Sequence, residues 1–257
     1  MKQTLLIITV LIITAVMLIV GCGSDSIKLD INNLIDRGGL MYAPNDDEPF
    51  TGIVFDFYEN GEKELDGNYR KGLMNGEWTY YHENGQIRAQ GRFINGDGSY
   101  PDDYPDSLKS IYPPIDGRSG KWTEWWPNGQ KRYAGTFKDG EQDGKSTYWS
   151  PDSKESSELF WKDGQAWDGK LTFWYENGQK EVEATFKDGK LGGLETWWYE
   201  NGQKMREGTY KDGKYDGKVT SWNENGQKRS EETYKDGEEI ERTYWDEDGN
   251  VNYHWKQ

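Results

Sequence analysis

The sequence predicts an all-β protein: a repetitive antiparallel β-meander of about seven to eight 24-residue hairpin repeats forming one elongated twisted sheet. Three observations predict it. A Glu-Asn-Gly-Gln-Lys type of turn recurs with its glycine at Gly61, Gly85, Gly129, Gly178, Gly202, Gly226 and Gly249, and Ser153 stands in for one further glycine. A Lys-Asp-Gly type of turn follows eleven residues later, at Gly72, Gly96, Gly140, Gly164, Gly189, Gly213 and Gly237. Turns this close together leave no room for helices, and the aromatic and threonine residues between them suit half-buried strands. A fixed period of this kind marks a repeat array, in which each unit needs its neighbours to bury its apolar side.

Residues 1–21 read as a signal peptide, with Lys2 ahead of an apolar run over 5–20. Ile19-Val20-Gly21-Cys22 resembles a bacterial lipoprotein lipobox. That resemblance implies cleavage before Cys22, lipidation of its thiol and an exported protein anchored in the cell envelope. Gly23 follows the cysteine, which in enteric lipoproteins implies delivery to the outer membrane. Cys22 is the sole cysteine, so no intrachain disulfide is possible. Residues 22–38 form a tether and lead-in, in which Ile27, Leu29, Ile31, Leu34 and Ile35 suit a short strand or helical turn. The repeat domain spans 39–257. Its first strand, at 39–42, and its degenerate last one, at 251–255, are expected to protect the two edges.

The turn chemistry predicts the faces. Pro127 and Pro151 favour a type I turn followed by a left-handed glycine, the three-residue hairpin loop. Lys-Asp-Gly is assigned the same geometry. Residues at even distances from the turn glycine then share one face. These are Phe57, Tyr81, Trp125, Trp149, Trp174, Trp198, Trp222 and Trp245 four before it, the threonines six before it, and Tyr69, Phe93, Phe137, Trp161, Phe186, Tyr210 and Tyr234 eight after it. Six after it come the small residues Gly67, Gly91, Gly135, Ala184 and Gly208, which leave room for a ring over the backbone. This face is expected to be the packing spine. The other face carries Tyr58, Trp78, Tyr80, Trp122, Trp126, Tyr148, Phe173, Tyr175, Trp197 and Tyr199. Two readings stay open for it: a second packed layer if the sheet curls, or an exposed aromatic strip that binds a partner. Lys63, Lys131, Lys180, Lys204 and Lys228 are expected to make cation–π contacts with the aromatics four before the glycine.

Residues 97–116 interrupt the period as a loop insertion, rich in proline, with Tyr100, Tyr104 and Tyr112 as candidate binding residues. Acidic residues outnumber basic ones 46 to 31, a balance that repels phosphate backbones, so no nucleic-acid partner is expected. Thirteen tryptophans and 17 tyrosines, in step with the repeat, argue against disorder.

Tyr-Glu-Asn-Gly-Gln-Lys at 175–180 and 199–204, with Thr-Tyr-Lys-Asp-Gly-Lys at 209–214, resembles the variant MORN repeat of bacterial proteins. So does the lead-in from Leu34 to Gly52. The resemblance covers about residues 34–257. It implies the meander fold and, from the family's labels, an antitoxin of a toxin–antitoxin pair. The eukaryotic form of the repeat implies membrane and phospholipid association.

No catalytic constellation stands out. His82 and His254 are far apart in sequence and near no nucleophile motif. The acidic clusters at 45–48 and 246–250 offer oxygen ligands but lack full EF-hand spacing. No cofactor or metal is expected. The chain therefore reads as a non-enzymatic, envelope-anchored scaffold with a protein partner. The alternatives are a cell-wall or glycan-binding lipoprotein using the aromatic face, and an antitoxin or immunity-like protein.

Overall fold

The computed structural model describes residues 26–100 and 113–257. Residues 1–21, read above as a signal peptide, and Cys22 lie outside the described residues, as do Tyr104 and Tyr112. The described part is the expected meander: one 19-stranded open sheet whose strands pair antiparallel in chain order from Gly52–Phe57 to Val251–Lys256. The N-terminal edge is covered by Lys28–Asp30, which runs parallel to Gly52–Phe57. At the other end Val251–Lys256 pairs with Glu238–Trp245 and is exposed along its whole length.

The Asn-Gly turns form as predicted. In the second, the Gly85 N–H donates to the His82 carbonyl and the His82 N–H to the Gln86 carbonyl, both at 2.8 Å, enclosing a three-residue loop. The Asp-Gly turns differ from the expectation. Lys138 pairs directly with Glu141, and both Asp139 (φ 50°) and Gly140 (φ 85°) are left-handed. This is the two-residue type I′ turn, whose twist matches that of the flanking strands.

The predicted faces also need correction. Next to the Asn-Gly loop, the ladder shifts by one residue between Asp56 and Phe57, Tyr80 and Tyr81, Glu124 and Trp125, Phe173 and Trp174, Trp197 and Trp198, Ser221 and Trp222, and Tyr244 and Trp245. Each shift is a β-bulge, and one extra residue exchanges the faces of everything beyond it. At the serine turn the same final register is reached without a bulge. There the Ser150 N–H bonds to the Glu155 carbonyl across a longer loop, and Tyr148 pairs with Ser157. The aromatics eight after the glycine therefore share their face with Trp78 and Trp122, while the threonines turn to the opposite side.

Trp78 pairs across the ladder with Gly91, and Trp122 with Gly135. Each indole lies over the glycine of the preceding strand. A Cβ on Gly67 would stand 2.0 Å from Trp78, and one on Gly91 2.2 Å from Trp122. The indole N–H groups donate to the Asn68 and Arg92 carbonyls at 3.1 and 3.3 Å, so these buried donors are satisfied. Tyr69, Phe93 and Phe137 fill the spaces between, edge-on to the indoles at 5.1–6.4 Å between centroids. The predicted ring over a small residue exists, but the ring comes from the face expected to be irregular.

Successive repeats are stapled at both edges. Asn60, Asn128, Asn177 and Asn201 donate to the carbonyls of Glu83, Pro151, Glu200 and Glu224, one turn further on, at 2.7–2.9 Å. Tyr58, Tyr175 and Tyr199 hydroxyls donate to the carbonyls of Tyr81, Trp198 and Trp222. On the other edge the Gly164, Gly189, Gly213 and Gly237 N–H groups donate to Gln142, Trp167, Leu191 and Tyr215. The asparagine of the turn motif thus recurs because it bonds the next repeat as well as its own loop. Away from the core, Lys63, Lys131, Lys204 and Lys228 lie 5.5–5.9 Å from the rings of Tyr81, Trp149, Trp222 and Trp245. Four of the five expected cation–π contacts form, each to the aromatic of the following repeat, while Lys180 pairs with Glu183 and Glu155 instead.

Candidate functional site

The candidate strip does not survive as one surface. Trp78 (1% exposed), Trp122 (0%) and Tyr80 (4%) are core residues. The bulge puts them on the packed face, so they are unavailable to a partner. Tyr175 and Tyr199 are half-buried and engaged in the edge staples. Phe173 (38%) and Trp197 (36%) remain open to solvent.

Three of the strip residues do come together. Trp126, Tyr148 and Phe173 line a half-open groove of about 600 Å³ on the packed face. Its cause is a break in the core pattern. Position seven before the turn residue is Trp78 and Trp122 in two repeats but Ser146 in the repeat of Ser153. Where Ala89 stands four after the glycine in one repeat, the next has Tyr133, whose hydroxyl leans over Gly135. The sheet curls here: strands Gly144–Trp149 and Gln165–Trp174, separated by a whole strand, have Cα atoms within 8 Å. A flat sheet would hold them roughly 9.6 Å apart.

The groove has aromatic walls and a polar floor. Tyr133 Oη donates to Gln142 Oε1 at 3.0 Å and lies 3.2 Å from Ser146 Oγ, which is 3.3 Å from Gln142 Oε1. Burial pushes the Tyr133 and Tyr148 phenols far up, so both stay protonated and able to donate at any ordinary pH. Trp161 adds a buried indole N–H that has no hydrogen bond among the described residues. Arg132 lies 4.8 Å over the Trp126 ring, and Glu124 faces the same space. Of these, Arg118, Glu124, Arg132, Tyr133, Gln142 and Ser146 were not singled out by sequence. Ser146 in a tryptophan column was the available signal, hidden because the column was placed on the other face.

The insertion leaves the sheet beside this groove, and its neck is closed. The Asp97 N–H donates to Asp116 Oδ2 at 2.9 Å, and the Ile94 N–H to the Gly117 carbonyl at 2.8 Å. Arg118, itself buried, donates to the Pro113 and Pro114 carbonyls at 2.6 and 2.8 Å and lies 4.4 Å over the Trp122 ring. Tyr100 is half-buried and adds to burial in raising the Tyr80 phenol.

A second surface covers the same face further along. Tyr210, Tyr215 and Tyr234 form a row with centroids 4.3 and 5.2 Å apart, followed by Tyr244 and Tyr253 at 6.1 Å. Arg206 lies 5.2 Å over Tyr215 and Arg242 5.7 Å over Tyr244. Tyr210 Oη donates to Glu195 at 3.3 Å, and Arg242 is paired with Glu239. These rings are half-buried or exposed, and no indole column covers them.

The remaining candidates serve the fold. His82 Nε2 lies 2.9 Å from the Trp125 carbonyl, in the place of the tyrosine staples, and burial holds its pKa below the usual value. His254 Nδ1 is 2.9 Å from Thr243 Oγ1. Asp246 Oδ1 accepts the Asp248 and Asn250 N–H groups of its own turn. Among the described residues, no group of three or more His, Cys, Asp or Glu side chains converges on a metal-sized site.

Comparison with curated proteins returns no match. Similar solved structures include a TcdB2–TccC3–Cdc42 crystal structure, 12% identical over 80% of this chain, with a TM-score of 0.20. A TcdB2–TccC3–TEV crystal structure is 13% identical over 82% of this chain, with a TM-score of 0.21. The chain spans only 11% and 12% of those chains, and at such scores the likeness carries nothing about function. Five segments, residues 74–95, 118–139, 167–188, 191–212 and 215–236, match the family model described as the MORN repeat variant.

Proposed function

We propose that this protein is a non-enzymatic, envelope-anchored lipoprotein that serves as a protein-binding scaffold. The repeat supplies a rigid, extended surface, and Cys22 supplies the anchor through the lipobox-like segment. The observation that carries the reading is the tyrosine–arginine face from Tyr210 to Tyr253. Tyrosine and arginine are enriched at protein interfaces because each offers a large apolar body with a polar tip. The net charge of −15 favours a basic partner over an acidic one.

The test is capture from envelope extracts with the lipidated chain and with an Arg206→Ala, Tyr215→Ala variant. A partner retained by the first and lost by the second supports the reading. An identical captured set for both removes it. In parallel, Cys22→Ser is expected to move the protein from the membrane fraction to the soluble exported fraction. Continued membrane association of that variant would overturn the anchor.

The polar-floored groove favours a second reading, a wall or glycan ligand, because its hydrogen-bonding floor suits hydroxyl groups better than an apolar side chain.

A further inference from the structure

We infer that the groove over residues 118–174 holds an uncharged pyranose unit of a glycan chain that passes through it; this rests on the second of the two readings above. The site is a built one. Ser146 stands where Trp78 and Trp122 stand in other repeats, Tyr133 leans over Gly135 in the indole's place, and a groove of about 600 Å³ lies beside them where the sheet curls. That size is within the range of small-molecule sites.

The chemistry selects the ligand. Trp126, Tyr148, Phe173 and Trp174 present ring faces and edges, which suit the C–H faces of a sugar. The floor presents the Tyr133 hydroxyl and the Gln142 amide, 3.0 Å apart, and the buried Trp161 indole N–H, which has no hydrogen bond among the described residues. A sugar hydroxyl both donates and accepts, so it can join this network without leaving a member unpaired. An apolar side chain lodged there would leave the Trp161 N–H buried and unpaired, whereas a sugar hydroxyl accepts from it. Arg132 and Glu124 both line the space, so their charges offset, and the chain's overall acidity repels an anionic ligand.

The shape selects a chain over a single sugar. The groove runs the width of the sheet, from Gly140 and Gly164 at the tight-turn edge to Trp149 and Trp174 at the Asn-Gly edge. The six-residue strand Gly144–Trp149 along it spans roughly 20 Å, longer than one pyranose ring, so flanking units of the same glycan can lie beside the first.

The test is calorimetric titration of the lipidated full chain in detergent with chitotetraose, cellotetraose and xylotetraose, each beside its own monosaccharide. At least one tetraose is expected to saturate and to bind about tenfold or more tightly than its monosaccharide. Phe173→Ala, at an exposed wall position, and Gln142→Leu, at the floor, are each expected to weaken it about tenfold. Leu194→Ala, at an exposed position outside both surfaces, is expected to leave it unchanged. Unaltered near-ultraviolet circular dichroism of the Phe173 variant keeps misfolding out of the comparison. Binding that survives both groove substitutions overturns the groove assignment and leaves the glycan reading. Absence of saturable binding by all three tetraoses overturns both, and neither result touches the protein-partner reading.

Discussion

Residues 52–174 and residues 190–257 share one turn chemistry and one register, yet they treat the same face differently. In the first region the position seven before the turn glycine is Val54, Trp78 or Trp122, each at most 1% exposed. In the second it is the half-buried Glu195 or Arg242, and Val219 alone is as closed as its counterparts in the first. Six after the glycine the first region has Gly67, Gly91 and Gly135. The second has Gly208, then Glu232 and finally Trp255. The first region is thus a packed core with a groove beside the repeat that lacks its indole. The second is an open face of tyrosines and arginines. A repeat fixes backbone and register, and the few positions that face inward decide whether a given stretch is core or surface.

Substitutions break this comparison in order of size. Trp122→Ala is expected to cost about 3–5 kcal/mol of stability, whereas Tyr215→Ala, half-buried, costs about 1 kcal/mol. Denaturant unfolding of the two variants checks the ratio, and equal midpoints would abolish the distinction between the halves. Gly91→Ala sets a methyl 2.2 Å from the Trp122 ring and is expected to cost about 1–3 kcal/mol. Gly208→Ala meets Tyr215 at 2.9 Å, and that half-buried ring can give way, so the loss should be smaller. Thermal melts of the pair decide this.

Amide hydrogen exchange sharpens the contrast without mutation. A repeat array is stabilised by its neighbours, so protection is expected to fall from the strands around Trp78 and Trp122 toward Val251–Lys256. Uniform protection along the array would refute the gradient. Asn201→Ala removes the donor to Glu224 and the acceptor for the Gln203 N–H. Its expected cost is about 1–2 kcal/mol, read by chemical denaturation, with Asn177→Ala as its counterpart nearer the core.

The smallest effect is that of pH. His82 has its folded pKa held below the unfolded value of 6.5, by burial first and by nearby Arg88 and Arg132 charges. The folded state therefore binds fewer protons, and stability is full above about pH 6.5 and falls as the pH drops below it. His82→Tyr, which restores the residue of Tyr58, Tyr175 and Tyr199, is expected to flatten that dependence between pH 7 and 5. A melting-temperature profile unchanged by the substitution would assign the dependence elsewhere.

Much was legible before any coordinates. The glycine spacing revealed the meander, the insertion and the left-handed turn positions. Asn60, Asn128 and their equivalents could be placed in turns, although their bonds to the next repeat could not. The faces were not legible, because a bulge beside each loop leaves the sequence period untouched while exchanging inside and outside. Tyr133, Gln142 and Ser146 were missed for the same reason, since their significance depends on which side Trp78 and Trp122 occupy.

By itself the sequence determined the class of fold, its period and its turns, because glycine and asparagine backbone preferences act locally and repeat with the chain. The tertiary structure alone decided which aromatics are core, where the groove opens and where the tyrosines stay exposed. Those outcomes depend on a one-residue register shift and on the curl of neighbouring strands, and both are settled by packing between residues a full repeat apart.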